Sequence, residues 1–288
     1  MIQDIQPHHY DNQYRAVPPD PESYALYYED HAALMRRTAD GIAFPRFREL
    51  ERLNEEIYED CIYLFTIDED RYYLVQELSR EPLSVFTMEN TEIFREAAPR
   101  YQAFAGITGY QLYNWYRNHK YCGRCGSMMK RDGKERMLYC EKCRNMEFPK
   151  ICPAVIIGVT DGNRILMSKY AGRAYKKYAL LAGFPEIGET AEETVKREVM
   201  EEVGLKVKNI RYYKSQPWSF SDTLLMGFYC DLEGDGTITL DRNELALAEW
   251  FEREDIPEVT SNESLTNEMI MRFKNGEVQE VTDYESRI

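Results

Sequence analysis

The segment Gly183-Phe184-Pro185-Glu186-Ile187-Gly188-Glu189-Thr190, followed by Ala191-Glu192-Glu193-Thr194-Val195-Lys196-Arg197-Glu198-Val199-Met200-Glu201-Glu202-Val203-Gly204-Leu205, dictates the architecture of the C-terminal half. Thr190 followed by Glu193 forms a capping box, so a helix is predicted from about 191. Gly204 ends it as a C-terminal cap near 203. Within that helix Glu198, Glu201 and Glu202 fall at i, i+3 and i+4, and the spacing predicts three carboxylates on one face. Val195 and Val199 lie four apart and offer an apolar contact for packing under a sheet.

Outward from the helix, the sequence alternates with β-rich runs. Residues 154–159 are apolar, Asp161-Gly162-Asn163 marks a turn, and 164–167 reads as a second strand. A loop rich in Lys, Arg and Tyr, 169–178, leads to Ala179-Leu180-Leu181-Ala182. Beyond the helix, 210–213, 224–230 and 237–240 read as strands. A helix with strands on both sides means an α+β domain built as an α/β/α sandwich, not a bundle.

Upstream, Cys122-Gly123-Arg124-Cys125 and Cys140-Glu141-Lys142-Cys143 form two Cys-x-x-Cys pairs. A two-residue spacer lets both sulfurs turn to one point, and two such knuckles complete a tetrahedron around a soft divalent ion. Gly126 suits the sharp turn of the knuckle, and Asp132-Gly133 supplies a hairpin turn. A redox pair needs one such motif, and buried thiols need none, so residues 119–150 read as a zinc ribbon. Four thiolates leave no open position, which makes that metal structural. Cys61, Cys152 and Cys230 sit in or beside strand-like runs and read as inert.

Residues 1–118 read as a mixed α/β domain and 151–288 as the α/β/α domain that carries the acidic helix. In the first, 62–67 and 72–75 flank Asp68-Glu69-Asp70 as a hairpin. Residues 91–98 and 101–118 read as helices separated by Pro99. Tyr24, Tyr27 and Tyr28 at helical spacing read as packing residues. No chemistry is evident there.

A net charge of −14 with 50 acidic residues disfavours bulk binding to nucleic-acid phosphates. Local compensation is available from the Lys and Arg of 130–136 and 169–177. The run 154–159 is too short to span a bilayer, and residues 1–9 lack the pattern of a secretory signal. Seven cysteines, four of them in tight pairs, suit a reducing compartment. A cytoplasmic protein with no membrane association is the expectation.

Clustered carboxylates on a rigid helix are hard oxygen ligands for Mg²⁺ or Mn²⁺. Such ions can neutralise a diphosphate and acidify a bound water, while an unligated carboxylate takes the proton. Glu201 and Glu202 are both candidates for that base. Arg197, eight residues after Glu189, suits a bidentate pair that pins the glycine-rich loop to the helix.

A glutamate-rich helix face is more often a solvated surface. Here, however, nine positions between Gly183 and Leu205 fit Gly-x5-Glu-x7-Arg-Glu-(aliphatic)-x-Glu-Glu-x-Gly-(aliphatic) without departure. The chain therefore resembles the Nudix hydrolase superfamily. With the ribbon directly ahead, it resembles the zinc-ribbon-containing NADH pyrophosphatase subfamily. Ser215-Gln216-Pro217-Trp218-Ser219-Phe220-Ser221-Asp222-Thr223 is similar to that subfamily's Ser-Gln-Pro-Trp-Pro-Phe-Pro-x-Ser stretch, with Ser219 and Ser221 in place of two prolines and Thr223 in place of the last Ser. The likeness covers the chain from Tyr121 onward.

The resemblance implies that Glu198, Glu201, Glu202 and Glu244 bind the catalytic cations, with Ala182 lending a backbone carbonyl. It implies that Phe148 stacks on a base, that Phe184 and Gln216 line the same pocket with Trp218 nearby, and that Thr266 stands where a small residue contacts substrate. It further implies a homodimer that hydrolyses NADH or NAD⁺ to nicotinamide mononucleotide and AMP. Alternatives are removal of an NAD cap from an RNA 5′ end, hydrolysis of another diphosphate such as ADP-ribose, or a regulator that senses a nucleotide without cleaving it.

Overall fold

The computed structural model describes residues 1–54, 56–79, 85–172, 177–258 and 264–278. Of the expected basic loop at 169–178, Arg173, Ala174, Tyr175 and Lys176 lie outside the described residues. The chain divides into two compact units: Ile2–Lys150 with Ser219–Asp222, and Met1 with Ile151–Trp218 and the described residues from Thr223 onward.

In the N-terminal unit the elements are β1 (Tyr10–Asp11), β2 (Tyr24–Leu26), β3 (Tyr28–Glu29), β4 (Ala32–Thr38), β5 (Gly41–Ala43), α1 (Phe47–Leu50), β6 (Cys61–Ile67), β7 (Asp70–Val75), β8 (Thr87–Asn90) and α2 (Arg100–Asn118). The expected hairpin is β6–β7, paired antiparallel from Cys61↔Val75 to Ile67↔Asp70. Residues 91–98 hold only a 3-10 turn, Thr91–Arg95, ahead of α2. The tyrosines at helical spacing lie in and between strands instead. Tyr24 stacks on Tyr72 at 4.7 Å because β2 runs parallel to β7, and the buried Tyr28 hydroxyl donates to the Gly106 carbonyl at 2.7 Å. Aromatic side chains favour a pleated surface as readily as a helix, and pairing decided between them here.

The cysteine region belongs to this same unit. It forms β9 (Lys130–Arg131), β10 (Leu138–Tyr139) and β11 (Met146–Glu147), with β10 between the other two. Its inner side packs Trp115 of α2 with Cys122, Met129, Leu138 and Cys140. Arg131 donates to the Cys61 carbonyl at 3.2 Å, and Arg136 to the Leu64 carbonyl.

The second unit contains β12 (Cys152–Asp161), β13 (Arg164–Tyr170), β14 (Leu181–Gly183), α3 (Ala191–Val203), β15 (Lys206–Trp218), β16 (Thr223–Glu233), β17 (Leu245–Glu252) and α4 (Leu265–Lys274). Its sheet runs β15-β16-β12-β13-β17, with β14 also on β12. β12 and β16 pair in parallel over nine positions, from Cys152↔Thr223 to Thr160↔Asp231. Successive side chains of a strand point to opposite faces. Val155, Ile157 and Val159 accordingly join the core under α3, while Ile156 joins the core under α4. The result is an α/β/α sandwich.

α3 matches its predicted bounds. Thr190 accepts from the Glu193 amide, the capping box is complete, and Gly204 caps the end at φ 69°. Val195, Val199 and Val203 are fully buried, each worth roughly 1.5–3 kcal/mol of apolar burial. Residues 237–240 do not form the expected strand. Their backbone instead serves the helix end: the Thr239 amide donates to Val203 and the Asp241 amide to Glu202, both at 2.9 Å. Among the described residues, no helix is long and apolar enough to cross a membrane.

Candidate active site

The loop between β14 and α3 is held by one guanidinium. Arg197 donates to Glu189 through Nε at 2.6 Å and Nη2 at 2.9 Å, to the Phe184 carbonyl at 3.0 Å, to Glu198 at 2.8 Å and to Glu201 at 2.9 Å. A planar fork satisfies this many acceptors where an ammonium could not. The bond from Arg197, with the Glu186 amide, holds the Glu189 carboxyl down to about 2. Its three carboxylate partners raise Arg197 further. Thr194, buried within α3, donates toward the same Glu189 oxygen at 3.0 Å. Sequence reasoning missed Thr194; the available signal was a hydroxyl five residues after Glu189, inside the turn that Thr190 opens.

The three helix glutamates are not equivalent. Glu198 and Glu202 are buried at 9% and 2% exposure, whereas the Glu201 side chain is 60% exposed. The expected single face is thus a buried pair with an outer neighbour drawn in by Arg197. Burial pushes the Glu198 carboxyl up, more than the bond from Arg197 lowers it, and the charges of Glu201 and Glu244 add to the rise. Glu244, exposed after Asn243, thus lies near enough to act on Glu198. Its carbonyl accepts from Ala171, and its amide donates to Asp241.

Gly183 explains why this cluster begins with a glycine. A Cβ there would lie 1.9 Å from Glu198 Cδ and 2.0 Å from Oε1, so the carboxylate rests directly on the strand backbone beside Ala182, which pairs with Ile156.

Among the described residues, the four cysteines are the metal-type set whose ligand atoms all lie within 4.8 Å of one another. Cys122 and Cys143 sulfurs are 3.5 Å apart, as are those of Cys125 and Cys140. Zn–S bonds of 2.3 Å in a tetrahedron require about 3.8 Å, so the residues fit zinc. The carboxylates do not close that far. An open set of hard oxygens fits a divalent ion that keeps several waters and takes its other ligands from a substrate.

The remaining predicted contacts differ in burial. Phe148 is 55% and Phe184 57% exposed. Gln216 has no exposed surface, and its Oε1 accepts from the Leu265 amide at the start of α4, 2.7 Å away. Trp218 ends β15, paired with Thr223. Thr266 stands in the first turn of α4, half-buried.

Residues 150–273 match the NUDIX domain family, and 117–148 match the NADH pyrophosphatase zinc ribbon domain. Residues 150–273 thus form a Nudix domain, with that ribbon immediately ahead of it. Two similar proteins are the NAD-capped RNA hydrolases NudC of Klebsiella pneumoniae subsp. pneumoniae and of Escherichia coli O1:K1. Each is 42% identical over 149 residues, which cover 52% of this chain and 58% of the relative. The match therefore spans little more than half the length of those curated relatives. A Nudix hydrolase structure from Nitrosomonas europaea is similar at 22% identity and a TM-score of 0.46, covering 54% of this chain and 90% of that one.

Proposed function

We propose that the protein is a metal-dependent diphosphatase that hydrolyses NADH or NAD⁺ to nicotinamide mononucleotide and AMP. The observation that carries this reading is the clasp of Arg197 on Glu189, Glu198 and Glu201 beside the buried Glu202. It fixes an acidic cluster against the loop where an anionic diphosphate can reach only with cations. Bound Mg²⁺ or Mn²⁺ would neutralise the diphosphate and lower the pKa of a water that attacks phosphorus. Glu198, Glu201, Glu202, Glu244 and the Ala182 carbonyl would hold the ions, and Glu201 or Glu202 would take the proton. Phe148, Phe184, Gln216, Trp218 and Thr266 are the proposed substrate contacts, with Gln216 acting through the start of α4. The reading keeps residues 1–118, 119–150 and 151–288 as three domains, in a cytoplasmic homodimer with zinc in the ribbon.

The test is AMP release from NADH, NAD⁺, ADP-ribose and an NAD-capped oligonucleotide with Mg²⁺ and with Mn²⁺. Intact substrates throughout would refute hydrolysis and leave a nucleotide sensor. The names of the similar proteins favour a second reading, removal of NAD caps from RNA, and higher catalytic efficiency on the capped oligonucleotide than on NADH would select it.

A further inference from the structure

Residues 119–150 carry nine Lys and Arg against four acids, a formal +5 with neutral thiols, inside a chain of −14. Four thiolates around one Zn²⁺ would still leave this segment at about +3. So local a reversal of sign calls for a polyanionic partner.

The structure sorts these cations. Arg131 and Arg136 point to carbonyls of the N-terminal unit, and Lys130 pairs with Glu141 at 2.9 Å. The 130–136 segment, which read as compensation for RNA, is thus largely engaged. Among the described residues, the ribbon cations with neither an ion pair nor such a carbonyl bond are Lys134 within that segment and Lys120, Arg124, Lys142 and Arg144 outside it.

Period-2 alternation assigns the faces of the three-stranded sheet. Leu138 is buried toward Trp115, so Tyr139 looks outward, and its cross-strand partners Lys130 and Met146 share that outer face. A groove of ≈ 480 Å³ opens there, lined by Asp132, Met137, Tyr139, Cys140, Glu141, Arg144 and Met146. Met146 is 59% exposed. The two acids are occupied: Asp132 accepts from the Lys134 and Glu135 amides, and Glu141 pairs with Lys130. The Cys140 sulfur belongs to the four-cysteine set, so what remains is an aromatic ring, two thioethers and one guanidinium.

The geometry points to this outer ribbon face as a contact surface for single-stranded polynucleotide, with a base against Tyr139 and Met146 and a phosphate on Arg144. Aromatic stacking tolerates any base, and lysine and arginine follow the backbone. The inference rests on the reading above in that it gives the RNA body of a capped substrate a place to be held.

The experiment is fluorescence anisotropy of a labelled, uncapped 12-nucleotide oligo(A) with the full zinc-loaded chain, without Mg²⁺ or Mn²⁺, across NaCl concentrations. Expected are binding at low salt and a slope of log K on log[NaCl] near −0.7 per phosphate contacted. Tyr139→Ala and Arg144→Asn are each expected to weaken binding roughly tenfold, and Arg144→Lys to restore most of it. Asn suits the left-handed φ of 60° at position 144. Absence of binding by the parent protein, or equal affinity in Tyr139→Ala and Arg144→Asn at unchanged zinc content, overturns the proposal. NADH turnover with Mn²⁺, measured in parallel, reads the catalytic proposal separately: oligonucleotide binding without turnover would sink that one and sustain this.

Discussion

The cysteine cluster of the ribbon and the glutamate cluster of α3 are both built for a divalent ion, yet only the first is assembled in advance. Four sulfurs converge within 4.8 Å, and short turns with no other task put them there. The carboxylates are instead divided among burial, solvent and Arg197. A closed soft site stabilises a small fold; an open hard site leaves coordination positions for water and substrate. What looks like incompleteness in the second is what a reaction needs.

This contrast can be broken at either end. Cys140→Ser should have the largest effect, since apparent binding energies of structural zinc are about 10–16 kcal/mol. Zinc content should fall to nothing, and ribbon amides should lose protection from hydrogen exchange. Glu202→Gln should keep zinc and folding but lower AMP release by about 10²–10⁴-fold, the range of a general base. Gly183→Ala should displace Glu198 and lower turnover about 10²-fold, with weaker Mn²⁺ binding by titration calorimetry.

Acid titration sharpens the picture of the loop. Glu189 is held at about 2, below its ordinary 4.5. The stability it contributes is therefore complete above that ordinary value and is lost as pH falls through about 2. Urea midpoints of the parent and Glu189→Gln should differ at neutral pH and converge near pH 2. Smallest is Thr190→Ala, which removes a helix cap worth about 1 kcal/mol, again read from the urea midpoint.

Helix α3 was legible to the residue because Thr190, Glu193 and Gly204 are local signals that no tertiary contact needs to supply. The hairpin at 61–75 and the strands at 154–159 and 164–167 were equally plain from their turns, though the second pair runs longer, over 152–161 and 164–170. β17 was not, because Leu245-Ala246-Leu247-Ala248-Glu249 is rich in helix formers and becomes a strand only by pairing with β13 at the sheet edge. Nor was the full length of β15, since it contains Pro217, which an edge strand tolerates. In the site, the identity of the acids was readable but their inequality was not. That depends on how deep each side chain sits against β14 and on which oxygens Arg197 claims.

The parallel register of β12 on β16 has a bearing on how the second unit is born. Glycine loop and acidic helix both lie on the crossover that joins those two strands, and the valines of α3 need Phe228 and Leu245 to complete their core. Long-range closure of this kind comes late. A ribosome-bound chain that ends before residue 223 therefore holds the valines of α3 against β12, β13 and β14 alone, in a core that is completed only once Phe228 and then Leu245 have been made.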